Sequence, residues 1–327
     1  MINANSFGLI VFAALLIVAM SSAFGQAYPI KPIRIVVPNP PGGGTDTMAR
    51  LVAQKVGPAL GQQIIVDNRP GGGGRIAAEL VLRAPKDGYT LFQASVSPLI
   101  TGPALFPELT NYDPIKDFAP ITLNASTAYI LAVHPSVPVR SVKDLIQIAR
   151  SKKDGLTYGS TGPGSSAHLG MKLFESMTKL SLIHVPFKGS TQAMVSLSSG
   201  EIDVMFGNYQ ATLGLVRTGR LRALGQSSPN RSTLAPDIPT ISESGVPGFE
   251  LRQLYSIVAT AGTPMEIIRR LNQEITKHFP TEDVKKQMAA QGIEIAVSTP
   301  EELGKLLSSQ LAIWTKVIRE AGIKASN

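Results

Sequence analysis

Apolar residues along this chain fall into short runs of two kinds, and the kinds alternate. Ile33-Arg34-Ile35-Val36-Val37 is a β-branched apolar run and reads as a buried strand. Pro38-Asn39-Pro40-Pro41-Gly42-Gly43-Gly44 follows, a stretch that fits only a tight, non-helical turn. Met48, Leu51, Val52 and Val56 then recur at helical spacing behind Thr45 or Asp46 as the cap. The unit repeats with a strand at 63–68, a second glycine turn at 69–74 and a helix at 75–81. A third strand spans Thr90 to Ala94 and ends at Ser95. After an extended segment at 129–134 the alternation restarts. It gives a helix at 142–149, a strand at 156–158, a third glycine turn at 159–164, and a helix from Ser165 or Ser166 to Met177. A strand at 182–186, the turn Phe187-Lys188-Gly189-Ser190, a helix at 191–199 and strands at 201–206 and 222–225 complete that series. Residues 229–249 read as a long loop, 254–259 as a second extended segment, and 266–279, 282–290 and 300–321 as helices.

Strands alternating with helices predict an α/β fold with a mostly parallel sheet. Two interruptions by extended segments predict two α/β lobes joined by two crossings, with a cleft between them. Residues 28–128 plus 253–327 form one lobe and 129–252 the other. Ligands of such sheets bind beyond the carboxyl ends of the strands, where the glycine turns and Ser95 fall.

Composition sharpens this picture. The chain has 327 residues, 43% hydrophobic and 17% charged, enough to bury a sizeable core. Residues 1–27 carry no charged side chain, and 7–20 are an apolar run of secretory length, too short to span a membrane comfortably. Small residues before Tyr28 offer a cleavage site, so 1–27 reads as a signal peptide, with a retained anchor as the alternative. No cysteine is present, which excludes disulfides, thiolate metal sites and a cysteine nucleophile. The net charge of +8 is scattered, the densest spots being pairs such as Lys152-Lys153, and aromatics are only 6%. That pattern describes a solvated surface rather than a nucleic-acid interface.

The candidate chemistry is that of binding. G-x-S-x-G, H-E-x-x-H and G-x-x-x-x-G-K-[ST] motifs are absent, as is a dinucleotide fingerprint. The four histidines are dispersed, so no metal site is expected and no cofactor is called for. A glycine turn running into a helix start presents unpaired N–H groups at the positive end of a helix dipole, which suits a carboxylate or phosphate. Asp46 beside such an anion has the wrong sign for direct contact; its sensible role is to cap and organise the loop. Ser160, Thr161, Ser165 and Ser166 read either as a hydroxyl-rich ligand loop or as turn and cap residues. Lys188 reads either as an anion partner or as a solvated lysine. Asp203 interrupts an apolar strand, where it accepts backbone N–H groups or orients a ligand.

The residues resemble a known family over essentially the whole stretch after 27. Tyr28-Pro29-x-Lys31-Pro32-Ile33-Arg34-Ile35-Val36-Val37-Pro38, Pro41-Gly42-Gly43-x-x-Asp46-x-x-Ala49-Arg50, Asn68-Arg69-Pro70-Gly71 and Asp87-Gly88-Tyr89-Thr90-Leu91 carry the first part. Tyr158-Gly159-Ser160-x-Gly162-x-Gly164-Ser165-x-x-His168-Leu169, Val185-Pro186-Phe187-Lys188-Gly189 and Gly219-Arg220-Leu221-Arg222-Ala223-Leu224 carry the second. This order of motifs resembles the Bug family of extracytoplasmic solute receptors, the binding proteins of tripartite tricarboxylate transporters. The resemblance implies a two-lobed periplasmic binding protein fold of type II, closing on a small organic acid and delivering it to membrane permease subunits. It implies ligand contacts from Gly42, Gly43, Thr45 and Asp46 on one side and Ser160, Gly162, Ser165 and Ser166 on the other. Ser95, Lys188 and Asp203 come second. Asn39 departs from the aromatic that many relatives carry after Val-Val-Pro, and favours a ligand with a hydroxyl, amine or second carboxylate. A monomer is the default for this architecture. The rival readings are a periplasmic carboxylate sensor feeding a membrane signalling partner and, behind it, a periplasmic enzyme using the same cleft.

Overall fold

The computed structural model describes residues 28–152 and 155–323. The expected signal peptide, 1–27, lies outside the described residues. Three parallel strands open the fold, β1 (Ile33–Val37), β2 (Ile64–Asn68) and β3 (Thr90–Ala94), in the order β2-β1-β3. Helices α1 (Gly44–Leu60) and α2 (Arg75–Leu82) make the crossovers. A π-helical turn over Ser97–Thr101 leads into α3 (Gly102–Leu105), and β4 then runs sixteen residues, Phe118–Val133. Next come α4 (Val142–Ser151), β5 (Thr157–Ser160), α5 (Ser166–Thr178), β6 (Ile183–Pro186), α6 (Ser190–Ser199), β7 (Val204–Asn208), α7 (Tyr209–Arg217) and β8 (Arg222–Gln226). The chain closes with β9 (Arg252–Thr260), α8 (Met265–His278), α9 (Glu282–Ala289), β10 (Glu294–Ile295) and α10 (Pro300–Glu320).

β4 changes partners midway. Its residues Phe118–Ala128 pair antiparallel with β9, which in turn pairs antiparallel with β3. From Tyr129 to Val133 it pairs with β7 and β8 instead. The sheet is therefore mixed, not mostly parallel: two parallel sets, β1–β3 and β5–β7, are joined through antiparallel strands. The carboxyl ends of both sets converge where β4 changes partners. Ala94, the end of β3, pairs with Ser256, and Asn208, the end of β7, pairs with Tyr129. Ser227 ties the junction, because its hydroxyl accepts the Tyr129 N–H and donates to the Leu251 carbonyl.

Two apolar layers cover the sheet. One, under α1, α8 and α9, contains Ile33, Ile35, Val52, Ile257, Ile268, Leu271 and Phe279, all at most 1% exposed. The other runs on through both halves, from Val36, Phe92 and Leu99 to Tyr158, Phe174 and Phe206. Helix α10 contributes Trp314, Val317 and Ile318 to this second layer and packs on both α3 and α5. The strand expected at 201–206 begins only at Val204, because Glu201 and Ile202 close a turn back onto Ser196.

Candidate ligand-binding cleft

Two turns face the convergence point. In the first, α1 begins at Gly44 with Gly43 as its N-cap, and no side chain caps it. Asp46 is thus the third residue of the helix, a correction to its expected role as cap. Its buried carboxylate reaches back to accept the Gly42 N–H at 2.9 Å. Arg50 Nε donates to the same oxygen at 2.9 Å and Asn68 Nδ2 to the other at 3.0 Å, while Asn68 also holds the Asn39 carbonyl. Burial on its own raises the Asp46 pKa, but these donors outweigh it and hold the carboxyl below its ordinary range. The pair with Arg50 answers the sign problem, since the negative charge is already matched before any anion arrives.

In the second turn, α5 begins at Ser166 and Ser165 caps it, accepting the His168 N–H and donating to the Gly162 carbonyl. Ser160 is fully buried; its Oγ lies 2.6 Å from His184 Nε2 and accepts the Gly162 N–H at 3.0 Å. Ser160 therefore shapes this turn from beneath. Gly42 (φ 89°) and Gly162 (φ 108°) both require glycine's backbone freedom, and a methyl group at either would meet no atom within 4 Å. Both turns are open at these positions.

Between the turns stand two tyrosines that the sequence reading passed over as parts of extended segments. Tyr255, on β9, is 7% exposed, and its hydroxyl reaches the start of α1, where a side chain on Gly44 would come within 2.7 Å of it. Tyr129, at the change of partners in β4, faces the Ser166 hydroxyl at the start of α5. Burial and the neighbouring Tyr129 push the Tyr255 phenol up to about 12, so it stays a neutral donor. Burial also raises the Tyr129 phenol. The available signal was register, which sets each tyrosine close to the carboxyl end of a parallel set.

The other expected site residues fall in different places. Ser95 follows β3, and Thr45 is buried in the first turn of α1. Lys188 is exposed beyond the carboxyl end of β6. Asp203 takes the first of its two expected roles, as an acceptor of a backbone N–H, and only its place in the expected ligand set is corrected. It sits at the opposite end of the strands, where its carboxylate accepts the Thr157 N–H at 2.7 Å and the Thr157 hydroxyl at 2.9 Å, 3.6 Å from Lys152. An unpaired carboxylate at that position would be costly, and β5 supplies its partners. The dispersed histidines are also partly gathered, because His168 and His184 stack with centroids 4.3 Å apart and planes 12° apart.

Among the described residues no helix is long and apolar enough to cross a membrane. The family model for the tripartite tricarboxylate transporter family receptor matches residues 48–323. BugT of Bordetella pertussis is 34% identical over 300 residues, covering 91% of this chain and 92% of its own. An R. palustris protein, Rpa4515, solved with adipate, superposes with a TM-score of 0.70 at 34% identity, covering 91% of this chain and 99% of its own. A solute-binding protein from Polaromonas, solved with no ligand, superposes at 0.83 with 27% identity, covering 90% of this chain and 100% of its own. With this α/β binding-protein fold and these matches along its length, the chain belongs to the receptor family of tripartite tricarboxylate transporters, the Bug family.

Proposed function

We propose that this chain is a periplasmic receptor that captures a small organic carboxylate between two lobes and hands it to the membrane permease subunits of a tripartite tricarboxylate transporter. One observation carries the reading: two helix starts, at Gly44 and Ser166, each behind an open glycine turn, converge on the Tyr129–Tyr255 pair. Each start offers N–H donors at the positive end of a dipole, and the phenols add neutral donors between them. A ligand carrying two acidic groups, or an acid and a hydroxyl or amine, engages both sides at once. The binding set is Asn39, Gly42, Gly43, Thr45, Ser95, Gly162, Ser165 and Ser166, joined by Tyr129 and Tyr255. Asp46 and Ser160 shape the turns from behind, and Lys188 lies at the rim.

The lobes are 28–128 with 253–327, and 129–252, and they move about the junction at Tyr129 and Leu251. Closure by such a hinge excludes water, so that fixed amide dipoles replace the ligand's hydration. Residues 1–27 direct export and are removed, and the mature chain works as a monomer without metal or cofactor. Catalysis is disfavoured. Ser160 against His184 has the outline of a nucleophile and base, but Ser160 is fully buried and its oxygen already holds the turn.

A thermal-shift screen of residues 28–327 against mono-, di- and tricarboxylates, amino acids, aromatic acids and phosphate tests the reading. A ligand at about a hundred times its Kd adds about 2.7 kcal/mol. That corresponds to roughly 5–10 °C in a domain of this size. A shift with one class of acid, lost in Gly43→Val, establishes the receptor and its ligand class. No shift in protein freed of carried-over ligand by unfolding and refolding overturns it.

A further inference from the structure

His168 occupies the same place in the second turn that Asp46 occupies in the first. Each is the third residue of its helix, and each reaches back four residues to the N–H of a glycine. The Gly164 N–H donates to His168 Nδ1 at 3.0 Å, as the Gly42 N–H does to Asp46 at 2.9 Å. A ring nitrogen accepts a hydrogen bond only through its lone pair, so His168 serves only while Nδ1 is unprotonated. The far end of the same turn is held by His184, from β6, through Ser160. We propose that His168, backed by His184, is a positioning residue for ligand binding: it holds the 160–164 turn in its ligand-ready shape only in its neutral form, so that acid releases the turn and with it the ligand. This rests on the receptor reading above.

Burial and the two nearest basic groups oppose a charge on His168. It is 6% exposed, with His184 stacked on one face. Lys172, one turn along α5, adds a positive charge that its contact with Glu175 at 2.8 Å only partly offsets. β5 contributes Tyr158, whose ring lies 6.4 Å from that of His168 and whose buried hydroxyl has no hydrogen-bond partner among the described residues. β7 carries no titratable residue; α10, packed on α5, brings Glu320 to an outer cavity that it shares with Lys172, Glu175 and Lys179, and the segment whose Leu251 packs on Gly170 of α5 carries Glu250 and Arg252, paired with each other at 2.6 Å. Burial first, then His184 and Lys172, bring the His168 pKa down to about 4. Burial and Lys172 lower His184 as well.

The test has two arms. Imidazole 15N NMR on the wild-type protein reads the protonation state without any ligand. The expected result is an unprotonated His168 Nδ1 at pH 5.5, with the Gly164 amide resonance moving in step when further acid charges the ring. A His168 that is charged at pH 5.5, or that titrates without moving Gly164, overturns the proposal. In the second arm, adipate and malate are titrated into wild type, His168→Asn and His168→Leu. Asparagine keeps an acceptor near Nδ1 and does not titrate, whereas leucine keeps only bulk. At pH 7.5 His168→Leu should weaken binding about tenfold and His168→Asn less than about threefold. Between pH 5.5 and 4, wild type should lose affinity more steeply than His168→Asn, a comparison that cancels protonation of the ligand itself. Asparagine as weak as leucine, leucine as strong as wild type, or parallel acid profiles would each sink the idea. If neither acid binds wild type, the receptor reading fails for these ligands and the NMR arm alone decides the role of His168.

Discussion

The two glycine turns at the starts of α1 and α5 solve one problem with opposite electrostatics. Each must hold a glycine N–H in place behind a helix start, and each uses an acceptor on the third helical residue. In the first the acceptor is a carboxylate, matched by Arg50 and fixed by Asn68. In the second it is a neutral imidazole stacked on another. The difference follows from location. Arg50 is half exposed and brings its own hydration to the pair, so a charged acceptor is tolerable there. His168 is buried beside an apolar layer and stacked on His184, which in turn stacks on Tyr158, and there an uncharged acceptor is the cheaper solution.

The widest contrast between the turns should appear in acid. An ordinary histidine of pKa 6.5 in the unfolded chain, lowered to about 4 in the folded one, costs nothing above pH 6.5. As pH falls from 6.5 to 4 the unfolded state gains the proton first, and stability declines across that window, reaching a loss of roughly 3 kcal/mol. Asp46 runs the other way: its lowered pKa stabilises the fold above the ordinary carboxylate range and is lost only as pH drops below it. Hydrogen exchange should therefore find local opening of 159–168 easier at pH 4.5 than at pH 7.5, because the opened histidine takes up a proton, while the opening of 38–46 stays unchanged. The same change in both would erase the contrast. The second test is Asp46→Asn, which keeps the shape but removes the charge that draws the Gly42, Arg50 and Asn68 donors together. A loss of about 2 kcal/mol in urea unfolding is expected, with His168→Asn costing less because no charge is removed there.

Much of this was legible in the sequence, and the failures have physical causes. The glycine turns, the helix starts and the alternation of α and β were readable because each is enforced within about ten residues. Even the matched spacing, Gly42 to Asp46 and Gly164 to His168, lies in plain view. The meeting of His168 with His184 was not readable, since β5 and β6 must first pair, Tyr158 against His184, before the rings can stack. Tyr129 and Tyr255 were hidden for the same reason, because their place beside the strand ends depends on antiparallel register across the whole sheet. Asp203 misled because an acidic residue in an apolar run says that it needs partners but not which end of the sheet supplies them.

The starts of the helices differ as well, and a third test uses that. Ser166 stands where α1 has Gly44, and the first turn has no room for a side chain because the Tyr255 hydroxyl fills the space. Gly44→Ser should displace the phenol and cost roughly 1–2 kcal/mol together with carboxylate affinity. Tyr255→Phe in the same chain should recover part of the stability without restoring the affinity. Full recovery of both would mean that the phenol is packing alone and no part of the cleft's donor set.

The smallest effect provides the control for the rest. Gly42 and Gly162 both hold positive φ, at 89° and 108°, and neither would place a methyl group within 4 Å of another atom. Alanine at either position therefore adds backbone strain and nothing else, at about 1 kcal/mol. If the turns differ only in the charge of the acceptor behind them, the two substitutions should cost the same stability at pH 7.5. They should diverge in acid, where the strained Gly162→Ala turn depends on an imidazole bond that protonation removes. Thermal melts of the two variants at pH 7.5 and pH 4 give the answer. A gap that is already present at pH 7.5 would mean that the turns differ in rigidity before any proton is added, and the electrostatic contrast would then be secondary to a packing difference between the two sides of the cleft.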